Sequence, residues 1–416
     1  MDLDERLRAT YAERLGEVDL PTGDVAAARR EGARLRIRRR LGVGVAAAVV
    51  VAVAVGGVLV GTGRVPVGPA DETGHWRELP APPLSPRANA AMVWTGHEVL
   101  VVGGEKHPCP PNADCGATDR GLRDAAAYDP ATNTWAPIAP APVPVGPGDR
   151  LLAAGGIVVL RHWQQGGSAW FTYEPPPLNR WTRIPDVPRA IGDLPSALGS
   201  RVFATAGRRV VVYDVERGDW STLPADRRSP RLAARRVTAT PYGPVVTGID
   251  STQPNDGRSP SVVLADVFDG KTWRRLPATG QLDNLWTWNG SRMVDADPTV
   301  VDGGETDPFP HAYPAGGLLD PATGKWSPLP QALSVDSGEG WGVNAPGRRW
   351  FATYGQVYDS QTGSVVRLAQ PDGAADQGSA AAWTDDALVV FGGATFGGTT
   401  ELSNRAWAWT PDPPTP

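Results

Sequence analysis

The sequence predicts an all-β fold, a seven-bladed propeller of four-stranded antiparallel blades, and two observations support this prediction. A short sequence motif, called the repeated phrase below, occurs seven times at steps of 39 to 55 residues. It consists of an aromatic or aliphatic residue that is usually followed by Asp, then a turn and, in most copies, a tryptophan. The composition, with 49 Gly, 42 Pro and 16 Trp, is typical of tight hairpins rather than of helical repeats. Repeats of this length form solenoids or propellers.

Each repeat reads as four short strands. In the first unit, residues 90–104 read as a strand, a turn at 95–97 and a second strand that ends at a Gly pair, 103–104. Glycine is typical of such an end because it readily adopts a positive φ. The third strand ends at the Tyr-Asp pair, and the fourth strand carries Trp135.

The two ends of the array complement each other. The last unit supplies three strands and lacks a fourth, whereas residues 75–83 (HWRELPAPP) read as a fourth strand without a blade. Joining the two ends completes a seventh blade and removes exposed sheet edges. The predicted fourth-strand positions are Trp76, Trp135, Trp181, Trp220, Trp273, Trp326 and, with a degenerate phrase, Val365.

These repeats resemble the kelch-repeat β-propeller family, in which a Gly pair closes strand two, a Tyr-Asp pair lies on strand three and a tryptophan on strand four. The resemblance covers residues 74–416, and Gly103, Gly104, Gly392 and Gly393 match it in blades one and seven. In blades two, three and six the Gly pair is degraded. The resemblance implies a fold similar to the central domain of galactose oxidase, in a bacterial membrane-anchored form. We interpret the repeated Tyr, Asp and Trp as packing and turn residues.

The segment before the repeats predicts a membrane anchor. Residues 41–63 contain no charged side chain, and as a helix they would span roughly 30 Å. Seven arginines between Arg29 and Arg40 predict a cytoplasmic N-terminus by the positive-inside rule. We therefore predict a single-pass cell-membrane protein with a cytoplasmic Arg-rich tail (1–40), a transmembrane helix (41–63), a linker (64–74) and an extracytoplasmic propeller (75–416). A cleavable signal peptide is the less favoured alternative, because the preceding region is 40 residues long.

The tail and the apolar segment carry two further patterns. One apolar stripe at helical spacing consists of Leu3, Leu7, Tyr11, Leu15 and Val18. It predicts a short helix that either lies beside anionic lipid or docks a cytoplasmic regulator, in a layout that looks like that of bacterial membrane-bound anti-sigma proteins. Gly57 and Gly61 form a small-xxx-small pair that predicts a weak homodimer contact.

The net charge and the cysteine content limit the classes of partner and the role of the cysteines that the sequence predicts. The formal net charge of −5 offers no basic excess to bind phosphates, so we expect no nucleic acid partner. The two cysteines, Cys109 and Cys115, lie six residues apart in one loop of blade one. In an exported protein this spacing predicts a disulfide, and a metal site is the less favoured alternative because a second ligand pair is missing.

One face of the predicted propeller carries the long connections, between strands two and three and between blades. They are residues 105–124, 161–167, 250–260, 297–316 and 394–404. Such variation in loop length is typical of a binding surface, although solvated insertions without a ligand are the alternative. The candidate ligand-face residues are Arg123, Arg161, His162, Trp163, Arg258, Phe309, His311, Tyr313, Phe396 and Arg405.

The predicted function is a binding or scaffolding module for a glycan or protein ligand. The sequence shows no catalytic constellation, no cofactor motif and no complete metal site. Acidic residues between 295 and 307 read as a solvated loop rather than a calcium site. Two alternatives stay open: a carbohydrate-active envelope enzyme that uses the axial pocket, and a signalling protein whose tail holds a cytoplasmic regulator. Acids with arginine facing one axial cavity would favour the enzyme.

Overall fold

The computed structural model shows a seven-bladed β-propeller of four-stranded antiparallel sheets, as predicted. The residues that it describes are 74–110, 113, 115, 121–164, 167–185, 187, 194–227, 231–252, 263–277, 286–296, 317–329, 341–353 and 355–412. The predicted tail, the apolar segment 41–63 with Gly57 and Gly61, and most of the linker lie outside these residues. Within the described ranges, no helix has the length and apolar character needed to cross a membrane.

In each blade the four strands are ordered from the innermost strand, next to the propeller axis, to the outermost strand. Blade one consists of β2 (Ala91–Trp94), β3 (Val99–Val102), β4 (Ala125–Asp129) and β5 (Thr134–Ile138). Blade two consists of β6 (Arg150–Ala154), β7 (Ile157–Gln164), β8 (Gly167–Glu174) and β9 (Arg180–Arg183). Blade three consists of β10 (Ser196–Leu198), β11 (Arg201–Ala206), β12 (Arg209–Asp214) and β13 (Asp219–Thr222).

Blades four to seven follow the same order. They consist of β14 (Leu232–Thr238), β15 (Val245–Asp250), β16 (Val263–Phe268) and β17 (Trp273–Arg275); β18 (Thr287–Trp288), β19 (Met293–Asp295), β20 (Gly317–Leu319) and β21 (Trp326–Ser327); β22 (Ala345–Pro346), β23 (Trp350–Thr353), β24 (Gln356–Asp359) and β25 (Val365–Arg367); and β26 (Ala380–Trp383), β27 (Leu388–Phe391), β30 (Ala406–Pro411) and β1 (Gly74–Glu78). All seven predicted fourth-strand positions lie on outer strands.

Blade seven is assembled from both ends of the described chain, as predicted. Strand β1 pairs antiparallel with β30, and Trp76 lies opposite Trp409. Glu78 on β1 also accepts two hydrogen bonds from the guanidinium of Arg405, at 2.8 and 2.9 Å. A side chain at Gly74 would collide with the Trp409 indole, so the close approach of the two strands requires glycine there.

The repeated phrase is a packing and turn unit, as predicted. The tyrosine of strand three packs against the tryptophan of strand four, with ring centroids 5.0 Å apart for Tyr128–Trp135 and for Tyr173–Trp181. The Asp at the end of the strand closes an Asx turn: Asp129 Oδ1 accepts a hydrogen bond from the N–H of Ala131 at 2.8 Å. The Thr132 hydroxyl and this N–H hold the pKa of Asp129 below its usual range.

The tyrosine hydroxyl is buried and hydrogen-bonded. Tyr173 Oη donates to Oδ1 of Asn179, which has a positive φ of 43° in the turn between strands three and four. Burial, and secondarily the charge of Glu98, raises the pKa of Tyr173 to about 12. The hydroxyl therefore remains a protonated donor at physiological pH.

The tryptophans of the outer strands connect each blade to the one before it. Their Nε1 atoms donate to backbone carbonyls that follow the outer strand of the preceding blade. The pairs are Trp181 to Ala139 (2.9 Å), Trp220 to Pro185 (3.1 Å), Trp273 to Pro224 (2.7 Å) and Trp76 to Ala369 (2.7 Å). Trp135 departs from this pattern, because its buried Nε1 has no hydrogen-bond partner in the described part of the chain.

The hydrophobic core lies between the blades. Buried apolar side chains of the described residues form seven clusters, and each cluster joins two neighbouring blades. The cluster between blades seven and one, for example, contains Phe391 of β27 and Val101 of β3. No blade therefore buries its faces without its neighbours, which is why the seventh blade must be completed.

The Gly pairs of blades one and seven receive the connection between blades. Gly104 N–H donates to the carbonyl of Val145 at 2.9 Å, and Gly393 N–H donates to the carbonyl of Arg87 at 2.8 Å. All four glycines have a positive φ. A Cβ on Gly392 would lie 2.6 Å from the Arg87 carbonyl oxygen, so this crossing requires glycine.

An ion pair between a buried arginine and a half-exposed aspartate holds the connection from blade seven to blade one. Arg87 is fully buried, and its two terminal nitrogens donate to the two carboxylate oxygens of Asp124 at 2.7 and 2.6 Å. Nη1 also donates to the carbonyl of Gly103 at 3.0 Å, and Nε donates to that of Ser85 at 2.7 Å. The Arg87 guanidinium holds the pKa of Asp124 below its usual range.

The Trp76→Ala substitution tests the closure of the ring. Trp76 bonds to blade six and lies 5.5 Å, centroid to centroid, from Trp341. Its truncation removes this contact, so we expect a loss of about 3 kcal/mol in the free energy of unfolding, measured by denaturant titration. Trp163→Ala is the matched control, because Trp163 is 47% exposed and should change stability by about 0.5 kcal/mol or less. Equal losses in the two variants would contradict the proposed role of Trp76.

The Arg87→Met substitution tests the ion pair. Breaking a buried pair costs about 3–5 kcal/mol, and we expect the lower end because half of the Asp124 side chain is exposed and can be solvated. A lowered carboxyl pKa contributes stability above the unfolded-state pKa, near 3.9, and that contribution disappears as the pH falls through the folded-state pKa. The stability difference between wild type and variant should therefore be constant from about pH 5 to 8 and shrink below about pH 4. A difference that is the same at low pH would rule out the charge effect.

Candidate functional site

A cavity lies on the propeller axis and is enclosed by the inner strands. Its volume is about 820 Å³, within the ~300–1,000 Å³ typical of ligand pockets. All seven blades contribute to its wall. Among the described residues, the charged residues of the wall are Asp149 and Arg150 of blade two, Arg236 of blade four and Asp295 of blade five.

Asp149 forms a buried pair with His162. The two oxygens of Asp149 lie 3.1 and 3.2 Å from Nδ1 of His162. Oδ1 also accepts a hydrogen bond from the Trp163 N–H at 2.7 Å, and Oδ2 accepts one from the Gly146 N–H at 2.9 Å. An ionised carboxylate only accepts, so Nδ1 carries a proton and the pair orients the imidazole.

The local register explains why this pair occurs in blade two. Val99 in blade one and Val158 in blade two each lie opposite the tyrosine of the repeated phrase. Four and five residues later, blade one has the Gly pair 103–104, whereas blade two has His162 and Trp163. In blade two the Asp149 carboxylate takes the place that the Val145 carbonyl has in blade one, as the acceptor for the backbone N–H.

Trp163 follows His162 near the end of β7, on the face of the strand two to strand three connections. It is 47% exposed, which is unusual for a tryptophan, while its backbone N–H is bonded to the cavity-lining Asp149. An exposed aromatic ring provides a flat apolar surface for a ligand.

The two cavity arginines have no carboxylate partner among the residues that the structure describes. Nη1 of Arg150 donates to the backbone carbonyl of Asp149 at 2.8 Å, and the rest of the exposed side chain has no bond to a described acid. Nη1 of Arg236 is buried without a hydrogen-bond partner. Trp286, which is 7% exposed, also lines the cavity, and its Nε1 has no partner within the described ranges.

The structure changes the expected surroundings of several predicted ligand-face residues. The prediction of a long loop at 161–167 is wrong, because β7 and β8 extend as one hairpin in which Gln164 pairs with Gly167. Arg161 is therefore buried, and it donates to the hydroxyl of Ser168 at 3.0 Å and to the carbonyl of Gly148 at 3.1 Å. These contacts are structural.

The other predicted residues are dispersed. Arg123 is exposed beside Asp124, Phe396 is half-buried in the hairpin of β28 (Ala394–Phe396) and β29 (Thr400–Leu402), and Arg405 is bound to Glu78 in the ring closure. The remaining four, Arg258, Phe309, His311 and Tyr313, lie outside the described residues. Of the predicted residues that the structure describes, three bond directly to wall residues of the cavity: Arg161 bonds to Gly148, and His162 and Trp163 bond to Asp149.

Sequence reasoning missed Asp149, Arg150, Arg236 and Trp286. All four lie on or just before inner strands, whose neighbours across the axis are far away in the sequence. A signal was present, since arginines interrupt otherwise apolar strands in GDRLLAA and AARRVTAT. Identifying it requires knowing which strand is innermost.

The predicted disulfide between Cys109 and Cys115 is present. Within the described ranges, no three His, Cys, Asp or Glu side chains are close enough to hold a metal ion. In comparisons with known proteins, neither a family model nor a curated protein matches this chain.

The Asp149→Ala substitution tests whether this carboxylate organises the rim. It leaves two backbone N–H groups and His162 without their acceptor, and each unsatisfied buried group costs about 1–3 kcal/mol. We expect a loss of about 2–4 kcal/mol in the free energy of unfolding, measured by denaturant titration. Asp219→Ala is the control, because the Asp219 side chain is 53% exposed and should change stability little. Similar losses for both variants would exclude an organising role for Asp149.

Proposed function

We propose that this protein is a kelch-like binding module whose ligand, a glycan or a protein segment, occupies the axial cavity and contacts the rim of blade two. The observation that carries the proposal is an 820 Å³ cavity, walled by all seven blades, together with an exposed tryptophan, Trp163, whose backbone N–H is bonded to the wall residue Asp149. Ligand pockets combine such a concave surface with a few polar groups and aromatic anchors.

The kelch assignment is supported by the geometry of the motifs. Gly pairs in blades one and seven receive the connections between blades, and the Tyr, Asp and Trp of the repeated phrase pack and close turns. As part of the same proposal, residues 41–63 anchor the module in the cell membrane and the propeller is extracytoplasmic. The uncharged run and the arginines before it support this placement.

A carbohydrate-active enzyme is the second candidate. The carboxylate of Asp149 and two arginines belong to the wall of the same cavity, together with the fully buried Asp295, and acids with arginine are the combination that favours an enzyme. The Asp149–His162 pair holds an imidazole in one orientation, as general bases are held. Release of reducing sugar ends from a bound glycan would distinguish the enzyme from the binding module.

Glycan-array binding with purified full-length chain tests the proposal. We expect a defined set of glycans to bind, and Trp163→Ala to weaken their binding roughly tenfold, because an aromatic anchor contributes more than about 1 kcal/mol. Tyr242→Ala is the matched control, since Tyr242 is 49% exposed and lies in the β14–β15 turn on the opposite face.

Two results would contradict this use of the cavity rim. One is equal weakening by the two substitutions, which would place the ligand elsewhere. The other is an array without any bound glycan together with no bound protein in a parallel pulldown, which would leave a purely structural role.

A further inference from the structure

The arginines of the axial cavity differ from the ion-paired arginines of the propeller. Several arginines outside the cavity face a carboxylate, as Arg87 does with Asp124 at 2.6 Å, Arg231 with Asp250 at 2.7 Å and Arg349 with Asp359 at 2.7 Å. Arg150 and Arg236 line the cavity, and neither has such a partner among the described residues. Two positive charges in one cavity are therefore uncompensated by direct ion pairs.

The acids of the same wall do not compensate them. Both oxygens of Asp149 are occupied by His162 and by two backbone N–H groups. Asp295 is fully buried in β19, so its carboxylate is not exposed to the cavity contents. The acids of the described wall are thus satisfied by the protein, whereas the arginines retain donors, and the charge that the described wall residues present to a ligand is positive.

Hydrogen-bond donors of the cavity wall indicate the chemistry of the ligand that the cavity would bind. Guanidinium groups bind carboxylates in a bidentate way with strong, charge-assisted hydrogen bonds. Nη1 of Arg236 and Nε1 of Trp286 are buried donors without an acceptor in the described part of the chain, and leaving such groups unsatisfied is unfavourable.

We infer that the ligand of the axial cavity is an acidic oligosaccharide, a glycan whose uronic acid carboxylates pair with Arg150 and Arg236. The inference rests on the proposed binding function and adds the class of ligand. The exposed indole of Trp163, whose backbone N–H is bonded to the wall residue Asp149, favours a glycan over an acidic peptide, because a sugar ring stacks its apolar face on an aromatic ring.

Isothermal titration calorimetry with purified full-length chain tests this inference. The probes are short oligomers of galacturonate, glucuronate and mannuronate, each with its neutral methyl-esterified counterpart, and poly-glutamate as an acidic peptide. We expect at least one acidic oligomer to bind, its ester to bind at least tenfold more weakly, and added salt to weaken the acidic oligomer.

Variants of the two arginines locate the anion. Arg150→Gln and Arg236→Gln should each weaken the acidic oligomer about tenfold or more, and Arg236→Lys should retain part of the affinity. Arg217→Gln is the matched control, because Arg217 lies in the β12–β13 turn, away from the axis, and its side chain is 69% exposed. Melting temperatures of all variants verify that they are folded.

The outcomes separate this inference from the proposed function. Equal binding of acidic and esterified oligomers, or full affinity in both folded glutamine variants, would overturn the inference and leave glycan binding intact. Binding of poly-glutamate without any oligosaccharide would retain the anion site and overturn the glycan. Failure of every probe here overturns the inference, whereas the proposed function fails only if the glycan array and pulldown are also negative.

Discussion

Closure of the ring is the constraint on which the rest of the structure depends. The apolar clusters lie between neighbouring blades, so a blade at an open end would expose one whole face. The pairing of β1 with β30 prevents this and brings Trp76 against blade six. The Arg405–Glu78 ion pair and the absence of a side chain at Gly74 serve the same junction. A cavity walled by seven blades exists only because this junction is formed.

The hydrogen bonds between blades reinforce the closed ring and follow one rule. An outer-strand indole donates to a carbonyl of the preceding blade, and the tyrosine beside it fixes the ring by packing. Blade seven follows this rule through Trp76, although its strands come from both ends of the chain. Trp135 lies where blade one meets the completed blade seven, and its indole N–H lacks such an acceptor in the described part of the chain. The connection into blade one is held instead by the ion pair of the buried Arg87 with Asp124.

The side chains of the candidate site lie where blade two departs from the repeat. Blades one and seven close the top of strand two with glycines and backbone carbonyls, which leaves no side chain for a ligand. Blade two has His162 and Trp163 in that place, and both bind the carboxylate of Asp149 from the cavity wall. The same substitution of side chains for glycine thus produces an oriented imidazole, an exposed indole and a saturated carboxylate. That saturation is what leaves Arg150 and Arg236 as the uncompensated charges of the cavity.

The sequence by itself determined the all-β fold, the number of blades, the outer-strand positions from Trp76 to Val365, the closure and the disulfide. Each of these follows from local patterns, since turns, strand ends and repeat phrases are encoded by residues close together in the chain. Only the tertiary structure decided which residues share the axial cavity and which of their charges are satisfied. Arg150 and Arg236 are 86 positions apart in the sequence, and Arg161 could not be distinguished from Trp163 until the register of β7 against β8 was known. Burial and partner choice depend on contacts between distant segments, and a repeat pattern contains no information about these contacts.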